Sequence, residues 1–124
     1  MSSDPNKIDL LCNEVHSIMM GATKDLPVPN PKNARDIRKK ISVFTYGVIS
    51  QLADQAEIDK DQVYEKYLVM GGLSTEQASI IVKRTRDEFL KREFGENCME
   101  SGKTAVRQWR SGDKNIQSIV EALL

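Results

Sequence analysis

The segment that most constrains the fold is a helix start at Ser74. Paired glycines, Gly71 and Gly72, precede it and interrupt the element that comes before. Gln77 follows Ser74 at the spacing of a capping box, in which the two side chains satisfy backbone N–H groups of the first helical turn. Apolar residues then recur at steps of three and four. The pattern therefore predicts a helix over residues 74 to about 94.

Two sides of this predicted helix carry apolar residues. The main stripe has five members: Ala78, Ile81, Val82, Thr85 and Phe89. Ile80, Leu90 and Phe94 lie off that stripe, so we expect a central helix that is buried on two sides. Acidic and basic residues alternate on the remaining surface, which is typical of a solvated, self-neutralised face. Gly95 is expected to end the helix in the left-handed conformation.

The same periodicity recurs along the chain, and no stretch alternates with the period of two that a half-buried strand requires. Further helices are predicted in these segments: 4–21, 30–55, 59–68, 98–110 and 116–123. Asp4, Asn30 and Asp59 are the predicted N-caps, and Pro5 and Pro31 occupy first helical positions. The chain is therefore expected to form a compact all-α bundle of five or six helices without a sheet.

Glycines and prolines mark the ends of these helices and the connection between them. Gly21 is expected to end the first helix, and Gly47 is expected to weaken the second one midway. Closely spaced prolines make residues 24–31 an extended connector, because proline fits neither a helix interior nor a central strand. We expect Leu26 and Val28 of this connector to lie against the surface of the bundle.

Length and composition limit the classes of function. At 124 residues the chain fits a single domain, residues 1–124, that folds without a disulfide or a metal. Basic and acidic side chains balance at 18 each, so bulk charge attracts the protein neither to nucleic acid nor to an anionic membrane. No apolar run approaches the ~20 residues of a membrane span, and the first residues do not resemble a signal peptide. We expect a cytoplasmic protein in which Cys12 and Cys98 are reduced.

Two short motifs resemble parts of known chemical sites but lack the remaining parts. Residues 101–104, Ser-Gly-Lys-Thr, match the end of a phosphate-binding P-loop, yet Asn97 replaces the first glycine and no strand precedes the segment. Cys12 and His16 stand one helical turn apart, but a structural zinc needs four ligands and a Cys–His catalyst needs a third, orienting group. We therefore expect no catalytic residues, no metal and no cofactor.

Residues 52–67 resemble a helix-turn-helix, the motif in which a second helix enters the DNA major groove. The resemblance is carried by small and apolar residues at the expected spacing: Leu52, Ala53, Ala56, Ile58 and Val63. It implies that the second helix would contact DNA through Lys60, Gln62 and Lys66.

Two departures make DNA binding the alternative rather than the leading hypothesis. Glu57 occupies the turn position at which glycine is common. Asp59, Asp61 and Glu65 place acidic groups on the second helix, where they would repel phosphate. Nucleic acid is therefore not the expected partner.

The leading hypothesis is a small protein-interaction or regulatory module without catalytic activity. Its candidate surface comprises Tyr64, Tyr67, Met70 and Leu73, since tyrosine and methionine are favoured in the centre of protein interfaces. The same residues would also serve in a core, and the sequence leaves both roles open. The sequence does not identify the partner protein.

A homodimer is a further expectation. Ile49, Ala53 and Ala56 lie beyond the main stripe of the second helix, and a two-fold dimer is the commonest way to bury such an excess of apolar surface. The alternative is that the last two helices, with Trp109, cover these residues within one chain.

Overall fold

Six α-helices form the fold of the described chain, which comprises residues 5–24, 26, 30–113 and 115–124 of the computed structural model. In chain order they are α1 (Pro5–Thr23), α2 (Ala34–Ala56), α3 (Lys60–Met70), α4 (Thr75–Asp87), α5 (Gly95–Arg110) and α6 (Gln117–Glu121). A single 3-10 turn, Phe89–Lys91, joins α4 to α5. These residues form no β-strand, and the helices pack through many long-range contacts, which confirms the predicted all-α bundle.

α2 and α5 cross in backbone contact, and glycine makes this contact possible. A Cβ atom added to Gly102 would lie 2.8 Å from the amide nitrogen of Val48 and would overlap the carbonyl oxygen of Phe44. A Cβ atom added to Gly47 would overlap the carbonyl oxygen of Met99. α2 continues unbroken through Gly47, so the glycine serves this close approach and does not interrupt the helix.

α2, and not the helix after Ser74, is the central helix, which corrects the prediction. Every residue of α2 from 43 to 50 is buried. α4 instead buries one narrow face, consisting of Ala78, Val82 and Thr85. Ile80 is 58% exposed on another side. A helix with one buried face packs at the edge of a bundle, so α4 is peripheral.

The start of α4 agrees with the prediction and its end does not. Ser74 Oγ accepts a hydrogen bond from the Gln77 amide at 3.1 Å, and Gln77 Oε1 accepts one from the Ser74 amide at 3.0 Å, which confirms the capping box. The helix stops at Asp87, and Gly95 begins α5 instead of ending α4. A Cβ atom at Gly95 would overlap the carbonyl oxygen of Leu90, so a tight turn, and not a left-handed cap, requires this glycine.

α1 begins at Pro5 as predicted but continues to Thr23, past the expected end at Gly21. A Cβ atom at Gly21 would lie 3.0 Å from Cζ3 of Trp109 on α5 and 3.8 Å from Cδ1 of Ile116. Gly21 therefore makes room for a seam at which α1, α5 and the C-terminal segment meet. The buried residues of α1 are Leu11, Cys12, Val15, Ile18, Met19 and Ala22.

The connector before α2 is only partly described. Residues 31–33 form a turn, so α2 starts at Ala34 and not at the predicted proline. Leu26 is half-buried against the main core, as expected. The expectations for Asp4 and Val28 concern residues outside the described chain.

The described helices share one main core, and a smaller cluster lies beside it. All six helices contribute side chains to the main core, Cys12 among them. The smaller cluster contains Val43, Phe89 and Cys98. Partly buried residues such as Met99 pack against both clusters, which joins them. None of the described helices is both long enough and apolar enough to cross a membrane.

The apolar excess on α2 is covered within one chain. Ile49 and Ala53 have 0% exposure, and Ala56 is half-buried. Because these side chains already belong to or border the main core, they are not available to a second copy of the chain. Ile49 and Ala53 therefore offer no surface to a second copy, and the homodimer itself stays a prediction.

Candidate functional site

The corner between α2 and α3 has the backbone that the helix-turn-helix resemblance implies. Glu57 takes a left-handed conformation, with φ 58° and ψ 44°, at the position where glycine is common. Its amide donates to the carbonyl oxygens of Ala53 and Asp54 and so closes α2. Ile58, the residue after the turn, is 1% exposed, and Val63 is fully buried. The small and apolar positions of the motif therefore hold the two helices together.

α3 packs against three helices, α1, α2 and α4. The ring of Tyr64 lies 5.7 Å from that of Tyr46 on α2, and the Tyr64 hydroxyl donates to the carbonyl oxygen of Ser42 at 3.4 Å. The Tyr46 hydroxyl donates to Asp61 at 2.8 Å. α3 therefore lies back along α2 instead of projecting from the bundle. Its exposed residues form a narrow stripe: Gln62, Lys66 and Met70.

The three residues that DNA would contact in the alternative hypothesis differ in exposure. Lys60 is half-buried, and its ammonium nitrogen lies 5.4 Å from the centroid of a tyrosine ring on α2. Gln62 and Lys66 are exposed on the outer stripe of α3. Asp61, which precedes these two residues on α3, forms an ion pair with Arg86 of α4. Oδ2 of Asp61 lies 2.6 Å from Nη1 of Arg86. The start of α3 is thus occupied by contacts within the protein.

Three of the four residues proposed for an interaction surface line one cavity. Tyr67, Met70 and Leu73 border a space of about 410 Å³ between α1 and the end of α3. Met70 is 51% exposed, while Tyr67 and Leu73 are half-buried. Tyr64 is 2% exposed and belongs to the main core, and it also lines the neighbouring cavity between α1 and α2.

This cavity continues along α1 into a second one of about 460 Å³. His16, Tyr67 and Leu68 line both cavities, so we treat them as one α1–α3 groove. Its α1 wall consists of residues on one helical face: Cys12, Asn13, His16, Met19, Met20 and Thr23. At 1.5 Å per residue this wall is about 16 Å long. The bottom of the groove, contributed by α2, comprises Ile41, Ser42 and Thr45.

The lining of the α1–α3 groove is apolar and almost uncharged. Among the described residues, the lining contains no Asp, Glu, Lys or Arg, and His16 is its only basic side chain. Each half has an exposed methionine, Met20 at 54% in one and Met70 at 51% in the other. Methionine is unbranched and polarizable, so its side chain adapts to the shape of a bound surface. A groove of this composition is suited to apolar side chains.

The Cys12 thiol borders the groove but is buried and protonated at neutral pH. Its side chain is 1% exposed, and its sulfur donates a weak hydrogen bond to the carbonyl oxygen of Val63 at 3.6 Å. Burial, and after it the charge of Asp9, raises the pKa of this thiol to about 11. A thiol in this state reacts slowly. Within the described residues, no group of three or more His, Cys, Asp or Glu side chains is placed to hold a metal, and Cys12 with His16 forms only a pair.

Sequence reasoning found the α3 side of the groove and missed the α1 side. A signal was present, because His16, Met20 and Thr23 follow at helical spacing beside the buried stripe of α1. The pattern within α1 does not show which distant helix that face will meet, so the signal could not be assigned. Residues 101–104, which match part of a P-loop, lie within the helix α5 and form no loop.

No protein-family model matches this chain, and neither a curated protein nor a solved structure is significantly similar to it. The geometry and chemistry of the α1–α3 groove are therefore the basis of the functional proposal.

Proposed function

We propose that this protein is a binding module without catalytic activity, and that its α1–α3 groove receives an apolar helix of a partner protein. The observation that supports the proposal is a continuous groove between two helices, with an exposed methionine in each half. Helix-in-groove recognition uses side chains that recur at three and four positions along the bound helix. The groove has the matching length of about 16 Å, or three helical turns.

The uncharged lining defines the contact face of the partner. A charged side chain in the groove would lose hydration without gaining an oppositely charged group, so the face that enters is apolar. Asn13 and His16 are exposed polar groups on the α1 wall. Hydrogen bonds to these two side chains would fix the position of the bound helix along the groove.

A selection of short amphipathic helices from a displayed peptide library tests the proposal. Affinities of the selected peptides are measured for the parent protein and for Met20→Lys and Met70→Lys. Each variant is expected to weaken binding by about tenfold or more, because the new ammonium group would have to be desolvated. Ile80→Lys is the matched control, since Ile80 is a 58% exposed apolar residue on α4 outside the groove.

Two results would reject a partner helix in the groove. One is a loss of binding in Ile80→Lys as large as the loss in Met70→Lys. The other is a mass of two chains in light scattering that Met70→Lys reduces to one, which would identify a second copy as the occupant. Tyr64→Glu is not a useful probe of such a dimer, because Tyr64 is 2% exposed and a buried carboxylate would unfold the chain.

DNA binding through the helix-turn-helix segment is the second candidate, favoured by the left-handed Glu57 beside buried Ile58. Against it, a recognition helix presents its outer face to a DNA groove, whereas α3 packs against three neighbours and exposes a narrow stripe. A gel shift that resists salt, occurs with one sequence and is lost in Gln62→Ala would make DNA binding the leading function. DNA binding that does not depend on the sequence and is lost when salt is added would reject this function.

A further inference from the structure

A basic cavity of about 380 Å³ lies between the first half of α2 and the end of α4. Its lining consists of four cationic residues and two others: Arg35, Arg38, Lys39, Arg84, Ser42 and Phe89. We propose that this basic cavity binds the phosphoryl group of a small phosphorylated molecule. The basic cavity and the α1–α3 groove share one lining residue, Ser42, but none of the four cations lines the groove. The basic cavity stands out because the charges of the chain cancel overall.

Phe89 holds two of the four cations in place. Its ring is 8% exposed and belongs to the smaller core cluster, so it is fixed by packing. The Lys39 ammonium nitrogen lies 5.7 Å from the ring centroid, and the Arg84 guanidinium carbon lies 5.1 Å from it. Cation–π attraction at these distances positions both groups before a ligand arrives. The entropic cost of ordering these long side chains on binding is reduced accordingly.

The cations of the basic cavity have few carboxylate partners. Among the residues that the structure describes, no ion pair joins Arg35, Arg38 or Lys39 to an acidic side chain. Arg84 Nε lies 3.4 Å from Glu88, but both side chains are about half exposed, and such surface pairs are weak. The described residues that line the cavity include no acidic one. A positive potential is therefore left for an anionic ligand.

A phosphoryl group matches this arrangement in charge and geometry. A phosphate monoester carries roughly two negative charges at neutral pH, and guanidinium groups bind its oxygens through paired, charge-assisted hydrogen bonds. The concave shape and the volume of about 380 Å³ suit a small molecule. Inorganic phosphate and organic monoesters share the required chemistry.

Calorimetric titration with inorganic phosphate and with AMP tests the site. We expect saturable binding of at least one of them at a single site per chain. Arg38→Gln and Lys39→Gln should each weaken it about tenfold or more, as expected for the loss of one charged hydrogen bond. Lys83→Gln is the matched control, because Lys83 is an exposed cation on α4 outside the cavity, and its substitution changes the net charge equally.

The two ligands also distinguish the source of the phosphoryl group. AMP that binds more than about tenfold tighter than phosphate supports an organic monoester, and equal affinity supports recognition of the phosphoryl group alone. The proposal is overturned if neither ligand gives saturable binding. It is also overturned if Lys83→Gln weakens binding as much as Lys39→Gln, because the attraction would then be diffuse. Melting curves of all variants establish that each is folded.

Discussion

Glu57 is the one residue other than glycine with a positive φ in the described part of the chain, at 58°. A residue with a Cβ atom loses roughly 1–2 kcal/mol in the left-handed conformation, whereas glycine adopts it freely. Replacing Glu57 by glycine would remove this strain, but glycine also has more conformational freedom in the unfolded chain, which offsets part of the stabilisation. We therefore expect Glu57→Gly to raise the free energy of unfolding by up to about 1 kcal/mol, which a melting curve would show as an increase of a few degrees in Tm.

Glu57→Ala is the control for this change, because it removes the same exposed side chain and keeps the Cβ atom. Its free energy of unfolding should stay within about 0.5 kcal/mol of the parent, as for most surface substitutions. A Glu57→Gly protein that melts below Glu57→Ala would contradict a strained turn at this corner.

Cys12 should make stability depend on pH above 9. Its pKa is raised from 9.0 to about 11 in the folded chain, mainly by burial, so the folded state holds the proton more tightly than the unfolded state. The resulting stabilisation is fully present below pH 9 and is lost as the pH rises through about 11. Urea unfolding at pH 8 and at the upper end of this range should show a loss of at most about 2–3 kcal/mol from this thiol.

Cys12→Ala separates the thiol from the tyrosines, which also titrate in alkaline solution. Burial raises the pKa of Tyr64 and of Tyr67, so both contribute a loss of stability at high pH in either protein. The difference between the parent and Cys12→Ala should therefore shrink as the pH rises. A constant difference would mean that Cys12 does not titrate as its burial requires.

The contact between α2 and α5 is the strictest packing requirement among the elements. Gly102→Ala would place a methyl group against the backbone of α2, at Phe44 and Val48, and a backbone cannot rotate away as a side chain can. We expect the free energy of unfolding to fall by about 1–3 kcal/mol or more, the usual cost of overpacking. Urea unfolding monitored by circular dichroism measures this loss.

Gly71→Ala is the control for the glycine substitution itself. Gly71 has φ −80°, and a Cβ atom there would lie 3.4 Å from the nearest atom, the carbonyl oxygen of Leu68. The free energy of unfolding of Gly71→Ala should differ from that of the parent by less than about 1 kcal/mol. Equal losses at Gly71 and Gly102 would show that helix propensity, and not the crossing, determines the effect.

Helix caps and glycines show how much of each element could be predicted from the sequence. The caps of α3 and α4 depend on residues within one turn, and the predicted caps at Asp59 and Ser74 are both present. Gly47, Gly95 and Gly102 were interpreted from their neighbours in sequence, but each is required by atoms of another turn or helix. Local patterns contain no information about such a distant neighbour, so these roles were missed.

The molecule as a whole should unfold in one step, although it has two core clusters. Cys12 lies in the main core and Cys98 in the smaller cluster, and residues such as Leu90 and Met99 pack against both. Pulsed alkylation in increasing urea, followed by mass spectrometry, reports each thiol separately. We expect the same midpoint for Cys12 and Cys98, because loss of either cluster removes contacts from the other. Two separate midpoints would mean that the smaller cluster opens independently.

Both candidate sites are formed where helices distant in the sequence meet in the folded molecule. The sequence therefore predicted them only in part. Tyr67, Met70 and Leu73 are close in sequence and were recognised together, whereas the α1 wall of the groove comes from a distant segment. The basic cavity was missed because its cations come from two helices that are far apart in the sequence, α2 and α4. Only the fold brings Arg84 beside Arg38 and Lys39.

The seam at Gly21 has an optical consequence. Trp109 is the single tryptophan of the chain, so selectively excited fluorescence comes from this one place. Gly21 of the first helix lies against its ring, and Ile116 of the C-terminal segment packs at the same glycine. Departure of either segment from α5 would expose the half-buried indole to water and shift its emission to longer wavelength, even with every helix intact. The emission maximum therefore reports the closure of the bundle, which the far-ultraviolet signal of the helices does not distinguish.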